Sequence, residues 1–166
     1  MQNSAPTTRT FAAALLTIGM AGTVGTALAF QHLGGYIPCK LCLEQRLPYY
    51  VGAPLMLLAL LAAVFRLPVW IVRCLLLVGA ALMVWSLYLG VNHAGVEWGW
   101  WPGPTDCGAV DAPPSSGNIL DQIDQAIPPS CDKAAGRFLG LSFAGWNAVA
   151  SLGLLAVALR GALKRD

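Results

Sequence analysis

Five cysteines are the residues of this chain with the clearest capacity for chemistry. Cys39 and Cys42 form a Cys-x-x-Cys motif, Cys107 and Cys131 lie much further along the chain, and Cys74 stands apart from both pairs. A disulfide across a Cys-x-x-Cys motif closes so short a loop that it removes little entropy from the unfolded chain. Pairs with this spacing are typically redox-active. The motif therefore indicates thiol–disulfide chemistry more than a structural crosslink.

Positive charge close to the motif favours this interpretation. Lys40 lies inside it and Arg46 follows shortly after it, and nearby cations stabilise a thiolate. If a helix begins near Cys42, Arg46 lies one turn further on, on the same helix face. We therefore expect these cations to act on the cysteines of the motif.

Three other uses of the cysteines have less support. Two structural disulfides on an oxidising side of a membrane are the simplest alternative, and that role is usual for a pair such as Cys107 and Cys131 taken alone. A c-type haem site needs histidine directly after the second cysteine of the motif, where this chain has Leu43. A zinc site of four cysteines is chemically possible, but its ligands would come from dispersed loops. No metal is expected.

The composition indicates a membrane protein. Of the 166 residues, 57% are hydrophobic and only 11% are charged, and the mean hydropathy is +0.63. Soluble domains carry about a quarter charged residues. The net charge of +2 is too small to indicate nucleic acid binding, and the chain has no P-loop or dinucleotide-binding fingerprint. Its length suits a single domain, residues 1–166.

Four apolar stretches are long enough to cross a bilayer, for which about 20 apolar residues suffice. None has the strict alternation of a barrel strand. The stretches predict helices at residues 10–33, 47–65, 69–91 and 138–159. The predicted fold is therefore an all-α four-helix membrane bundle with outer loops at residues 34–46 and 92–137.

Charge predicts the orientation of this bundle. The side that holds the termini carries six of the ten basic residues and only one of the eight acids, Asp166. The positive-inside rule places that side in the cytoplasm and both cysteine-bearing loops outside. Cys74 lies near the cytoplasmic end of the third helix, and we expect it to be a small buried apolar residue. The first helix has an alternative interpretation as a signal peptide cleaved near Ala29, although its apolar run is longer than a typical signal core.

The second outer loop has two recognisable parts. Its first half carries Trp98, Trp100 and Trp101, and tryptophans at a lipid–water boundary are common anchors. Its second half, residues 118–127, has apolar residues on one helical face and acids and amides on the other. This pattern predicts a short amphipathic helix on the membrane surface.

A thiol oxidase needs an electron acceptor. The sequence has no flavin fingerprint, haem ligation pattern or iron–sulfur spacing. A quinone dissolved in the membrane is the most economical acceptor, because a Cys-x-x-Cys at the mouth of the bundle can reach it.

The chain resembles the DsbB (disulfide bond formation protein B) family of bacterial inner-membrane thiol oxidases. The resemblance covers essentially the whole chain. It rests on Pro38-Cys39-Lys-Leu-Cys42-Leu-Glu-Gln-Arg46, on His93, on Cys107 and Cys131, and on the Phe-Leu-Gly-Leu run at residues 138–141. The four spans, the order of the cysteines and the arginine together are far more specific than a Cys-x-x-Cys motif alone.

The resemblance implies a route for electrons. A reduced DsbA-like periplasmic partner attacks a Cys107–Cys131 disulfide at Cys107, and the released Cys131 then attacks Cys39. Cys42 becomes the thiolate that faces ubiquinone or menaquinone, with Arg46 stabilising the negative charge. His93 is similar to the quinone-side histidine of the family. The resemblance also implies a multi-pass protein of the inner membrane, with periplasmic cysteine loops and a role in sustaining disulfide formation.

Two alternatives stay open at this point. The vitamin K epoxide reductase class also has four helices, cysteines and a quinone, but its loop cysteines precede its Cys-x-x-Cys motif. The second alternative is a non-enzymatic membrane scaffold with two structural disulfides. The tryptophan-rich segment and the proline-rich residues 111–117 depart from the DsbB pattern, so the identity of the partner stays open.

Overall fold

The structure is a computed structural model that describes residues 8–104 and 131–164. These residues form five α-helices and one β-hairpin. The helices are α1 (Thr8–His32), α2 (Lys40–Glu44), α3 (Leu47–Val64), α4 (Val69–Glu97) and α5 (Phe143–Leu163), and the hairpin strands are β1 (Arg137–Phe138) and β2 (Leu141–Ser142).

Four helical segments are long and apolar enough to cross a membrane. They are Thr8–His32, Lys40–Val64, Val69–Glu97 and Phe143–Leu163, the second of which joins α2 and α3. This confirms the predicted all-α four-helix membrane bundle.

The four long helices pack in a ring. α1 contacts α3, α3 contacts α4, α4 contacts α5, and α5 returns to α1. The guanidinium of Arg9 donates a 2.9 Å hydrogen bond to the backbone carbonyl of Lys164, which joins the first and last helices at one end of the bundle. The interior is filled mainly by alanine, leucine and methionine side chains, among them Leu16, Met20, Met56, Leu76 and Met83, all fully buried.

Small residues allow the helices to approach closely. A Cβ added to Gly90 of α4 would lie 3.0 Å from the backbone nitrogen of Ala148 in α5. A Cβ added to Gly161 of α5 would lie 2.5 Å from the Cβ of Ala12 in α1. Close approach between helix backbones is the usual means of packing in lipid, where apolar burial alone gives little driving force. These two glycines therefore allow α5 to lie close to both of its neighbours.

Two helix boundaries differ from the predicted ones. α4 continues beyond residue 91 to Glu97, so His93 lies within a regular helix rather than in a loop. α5 begins at Phe143 rather than at 138, because Leu139 and Gly140 both have positive φ and turn the chain into a hairpin. Trp146 donates its indole N–H to the carbonyl of Phe138, at 2.9 Å, and fastens this hairpin to α5.

Cys74 lies near the start of α4 as predicted, but its predicted burial is wrong. Its thiol is free, and the side chain is exposed on the outer surface of α4 instead of being buried in the bundle. In a spanning helix such a surface faces lipid, where a small apolar thiol is tolerated without packing. The predicted amphipathic helix at residues 118–127 lies outside the described residues.

Candidate active site

The Cys-x-x-Cys motif forms the beginning of α2. After α1 the chain turns at Gly35, whose φ is 70°, and runs extended to Cys39, the N-cap residue of α2. The Sγ atom of Cys39 accepts a 3.3 Å hydrogen bond from the backbone N–H of Cys42. The Sγ atoms of Cys39 and Cys42 are 2.6 Å apart, and both cysteines are free thiols. This helix start therefore holds the two sulfurs next to each other.

His93 of α4 lies beside this pair. Its Nε2 atom is 3.8 Å from the Sγ of Cys39, and the imidazole is buried. Its Nδ1 atom is 2.5 Å from Nε2 of Gln45, whose Oε1 accepts a 2.8 Å hydrogen bond from Nδ2 of Asn147 in α5. Two amide side chains thus fix the position of the imidazole against the cysteine pair.

The hydrogen bonds continue into the bundle. The Tyr49 hydroxyl donates to Oδ1 of Asn147 at 2.6 Å and lies 2.9 Å from Oγ of Ser151. Ser151 donates to Oγ of Ser86 at 2.8 Å, and both serines are fully buried. Buried polar side chains need such partners, because an unsatisfied donor or acceptor costs desolvation free energy.

Sequence reasoning missed the residues of this network. Gln45 stands in the quoted motif and Asn147 interrupts an apolar span, and polar residues inside spans are functional candidates by default. That signal could have selected Asn147 before the structure was known.

The surroundings of Cys39 favour its thiolate. They lower the pKa of this thiol from 9.0 to about 4, chiefly through the hydrogen bond from Cys42. Burial opposes this change, whereas the hydrogen bond and charge of His93 and the backbone N–H of Cys42 support it. With both thiols free, the negative charge therefore resides at Cys39.

Arg46 lies at the junction of α2 and α3, as the N-cap residue of α3. Its guanidinium Nη1 donates a 2.5 Å hydrogen bond to Oε1 of Gln31 near the end of α1. A buried cation at this depth needs such a partner, and the amide carbonyl supplies it. Arg46 is half-buried and can still reach a second acceptor.

A single cavity of about 550 Å³ joins these residues. Ligand sites are typically of this size, apolar with a few polar groups. The walls include apolar residues of α1 such as Ile18, Val24 and Phe30. The polar residues lining it include Gln31, Cys39, Cys42, Gln45, Arg46, Tyr49, His93, Glu97, Lys133 and Asn147. The structure thus brings together the predicted Cys39, Cys42, Arg46 and His93.

Cys131 belongs to the same region. It is buried and disulfide-bonded, and it packs in one apolar cluster with Cys39 and Val96, against which Leu41 and Cys42 also lie. Cys107 lies outside the described residues, so its pairing with Cys131 stays a prediction. A segment far along the chain is nevertheless folded directly onto the Cys-x-x-Cys motif.

The same atoms have some capacity to bind a metal. Sγ of Cys39, Sγ of Cys42 and Nε2 of His93 all lie within 4.8 Å of one another. A closed structural zinc site takes four ligands. Since Cys131 is in a disulfide, the zinc site of four cysteine thiolates considered above is not formed in this structure.

Comparisons with known proteins agree with this geometry. A sequence model of the family "Disulfide bond formation protein DsbB" matches residues 9–160. The chain belongs to the DsbB family. This membership excludes the vitamin K epoxide reductase class and gives the chain an oxidoreductase role in disulfide bond formation, as a multi-pass membrane protein.

Three relatives, each named disulfide bond formation protein B, match at modest identity. The protein from Hahella chejuensis is 28% identical over 162 residues, which cover 86% of this chain and 87% of the relative. The protein from Idiomarina loihiensis is 29% identical, covering 90% of this chain and 82% of the relative. The protein from Saccharophagus degradans is 30% identical, covering 92% of each. No solved structure gives a significant match.

Proposed function

We propose that this DsbB-family chain is a protein-dithiol:quinone oxidoreductase. It reoxidises a DsbA-like dithiol protein and passes the electrons through two cysteine pairs to a membrane quinone. The observation that carries the proposal is the packing of disulfide-bonded Cys131 against Cys39, beside a cavity that the membrane-spanning helices enclose. Two cysteine pairs can exchange a disulfide where their segments are in contact, whereas two structural disulfides do not require that contact.

The outer exchange uses the pair furthest from the bundle. A thiolate of the partner attacks the Cys107–Cys131 disulfide at Cys107, so a sulfur–sulfur bond to the partner forms and Cys131 leaves as a thiolate. The partner's second thiol then displaces Cys107 and departs with the disulfide. Two electrons have moved from the partner to this chain.

The inner exchange passes them to the Cys-x-x-Cys motif. The Cys131 thiolate attacks Cys39 of a Cys39–Cys42 disulfide, and Cys42 leaves as a thiolate. Attack of the Cys107 thiol on the new Cys39–Cys131 bond then restores the outer disulfide and leaves Cys39 and Cys42 as free thiols.

The residues around the cavity suit a quinone. A bound quinone supplies an acceptor for two electrons and two protons. Arg46 presents a cation that stays charged at any working pH and donates in a planar fork, which serves a quinone oxygen or a thiolate at Cys42. His93 presents Nε2 beside Cys39, and the apolar wall from α1 suits a hydrophobic ring. Ubiquinone and menaquinone both meet these requirements.

The expected location is the bacterial inner membrane with both termini in the cytoplasm. The cysteine site lies at the end of the bundle opposite the Arg9–Lys164 contact, where the described acids Glu44, Glu97 and Asp132 also lie. The positive-inside rule then favours a periplasmic site, which a periplasmic partner requires.

The test is quinone-dependent oxidation of a reduced DsbA-like protein by the purified chain, followed by loss of partner thiols and by quinone absorbance. We expect one quinone reduced for each partner disulfide formed. Cys131→Ser should instead leave the partner reduced, because the Cys107–Cys131 disulfide that accepts its electrons cannot form. A non-enzymatic scaffold would reduce no quinone, and its disulfides would stay oxidised in cells whose quinone synthesis is blocked.

A further inference from the structure

Glu97, the last residue of α4, has an unusual environment for an acid. Its side chain is only 5% exposed. Its Oε1 atom is 3.8 Å from Nε2 of His93, one helical turn earlier, while its buried Oε2 has no hydrogen-bond partner among the described residues. A buried carboxylate oxygen without a donor is costly. Such groups persist where function needs an open acceptor.

The hydrogen bonds of His93 show why the site needs another proton acceptor. Oε1 of Gln45 is occupied by the amide of Asn147, so Gln45 presents its Nε2–H donor to Nδ1 of His93. Nδ1 is therefore the accepting nitrogen and the hydrogen lies on Nε2. Nε2 faces Cys39 Sγ and Glu97 Oε1 at 3.8 Å each. In this arrangement the imidazole N–H faces both groups, and neither ring nitrogen is free to accept a proton from the cysteine pair.

We propose that Glu97 is the proton acceptor for oxidation of the Cys39–Cys42 dithiol. This inference rests on the proposed function and deepens it. Glu97 lines the same cavity as Cys39 and Cys42, so a thiol proton can cross that cavity to its carboxylate. The proton comes from Cys42, because Cys39 is already the thiolate that His93 stabilises.

The Cys42 S–H bond breaks, an O–H bond forms on Glu97, and Cys42 becomes a thiolate beside that of Cys39. A bound quinone would accept the two electrons released when the two sulfurs join in a disulfide. It would take one proton from Glu97, which is then again a carboxylate, and one from solvent, equal to the proton that Cys39 released when it ionised.

A purely structural role for Glu97 is the competing explanation, because acids four residues after a histidine on a helix commonly form ion pairs. The two roles differ in their dependence on pH. The titratable and charged groups that face the cavity with Glu97 are Tyr36, Cys39, Cys42, Arg46, Tyr49, His93 and Lys133. Only loss of a proton acceptor is corrected by raising the pH, since hydroxide then takes the Cys42 proton in place of Glu97.

The experiment compares wild type, Glu97→Gln and Glu97→Ala in quinone-dependent turnover across a range of pH. Glu44→Gln is the matched control, an acid of α2 that does not line the cavity. We expect Glu97→Gln to lower turnover by on the order of 10²-fold at neutral pH and to recover as pH rises. Added formate should restore turnover to Glu97→Ala, which leaves room for it, and not to Glu97→Gln.

A single turnover of the outer pair, without quinone, reports whether each variant is folded, and it should stay at the wild-type rate. Wild-type turnover and pH profile in Glu97→Gln would overturn the inference, as would a loss that neither pH nor formate corrects. A wild-type protein that reduces no quinone would overturn the proposed function and this inference together. Failure confined to Glu97 leaves the proposed function intact.

Discussion

The imidazole Nε2 of His93 lies 3.8 Å from the sulfur of Cys39, although Cys39 directly precedes the second membrane-spanning segment and His93 belongs to the third. The contact places a hydrogen-bond donor beside the cysteine whose thiolate is favoured. A thiolate stabilised in the dithiol form makes the corresponding disulfide a stronger oxidant. The relationship between these two residues therefore favours electron transfer into the Cys-x-x-Cys pair.

The first prediction concerns the thiolate at Cys39. Since its pKa is lowered from 9.0 to about 4, Cys39 should be ionised above that value and lose its charge as pH falls through it. Iodoacetamide should then alkylate Cys39 of the reduced protein rapidly at about pH 6, where an ordinary thiol is protonated. His93→Ala should raise the pKa and slow this reaction, while Glu44→Gln should not. Peptide mass spectrometry separates Cys39 from Cys42, and equal pH profiles in wild type and His93→Ala would contradict the assignment.

The second prediction concerns Arg46 and its partner Gln31. Arg46→Ala removes a charge-assisted donor, which is worth about 1.5–3 kcal/mol, so the apparent KM for quinone should rise by about tenfold or more. Arg46→Lys should recover part of this because it keeps the charge without the planar fork. Gln31→Leu should raise the KM for quinone less than Arg46→Ala does, since it removes a hydrogen-bond acceptor of the guanidinium and keeps the cation. Steady-state kinetics with varied quinone provide the measurement. An unchanged KM for quinone in Arg46→Ala would show that Arg46 does not bind the quinone and only anchors the chain at the membrane interface.

The third prediction concerns the polar network within the bundle. Asn147→Leu removes the hydrogen bonds to Gln45 and Tyr49 and leaves their buried polar atoms unsatisfied. We expect a loss of about 1–3 kcal/mol in the free energy of unfolding, measured by denaturation in detergent, together with slower quinone reduction. Leu152→Ala, on the exposed surface of the same helix, is the control and should change little. Equal stability of Asn147→Leu and wild type would show that the network is dispensable.

The fourth prediction tests the orientation in the membrane. A membrane-impermeant maleimide applied to intact spheroplasts after reduction should label Cys39, Cys42, Cys107 and Cys131. Cys74 should stay unlabelled, because it lies near the other end of the bundle on a surface that faces lipid. Cys74→Ala should leave activity and stability nearly unchanged. Labelling of the two pairs only after lysis would reverse the orientation.

Features that depend on local sequence were predictable from the chain alone. The length of an apolar run decides whether a helix can cross a bilayer, so the number and approximate positions of the spans followed from residue types. The Cys-x-x-Cys motif and Arg46 also lie close together along the chain, and one helix start brings them to one cavity. Helix ends were less predictable, because the hairpin before α5 depends on two residues with positive φ.

Contacts between distant segments were decided only by the tertiary structure. Which face of α4 turns inward determines that His93 and Glu97 are buried while Cys74 is exposed. Apolar residues surround these spans on all sides, so hydrophobic periodicity cannot distinguish a lipid-facing side from a packed one. The hydrogen bonds that join His93 through Gln45 to Asn147 depend on the distances between three helices. The packing of Cys131 on Cys39 depends in addition on the distance to the loop that carries Cys131. Those distances arise from helix packing, which no single segment of the sequence specifies.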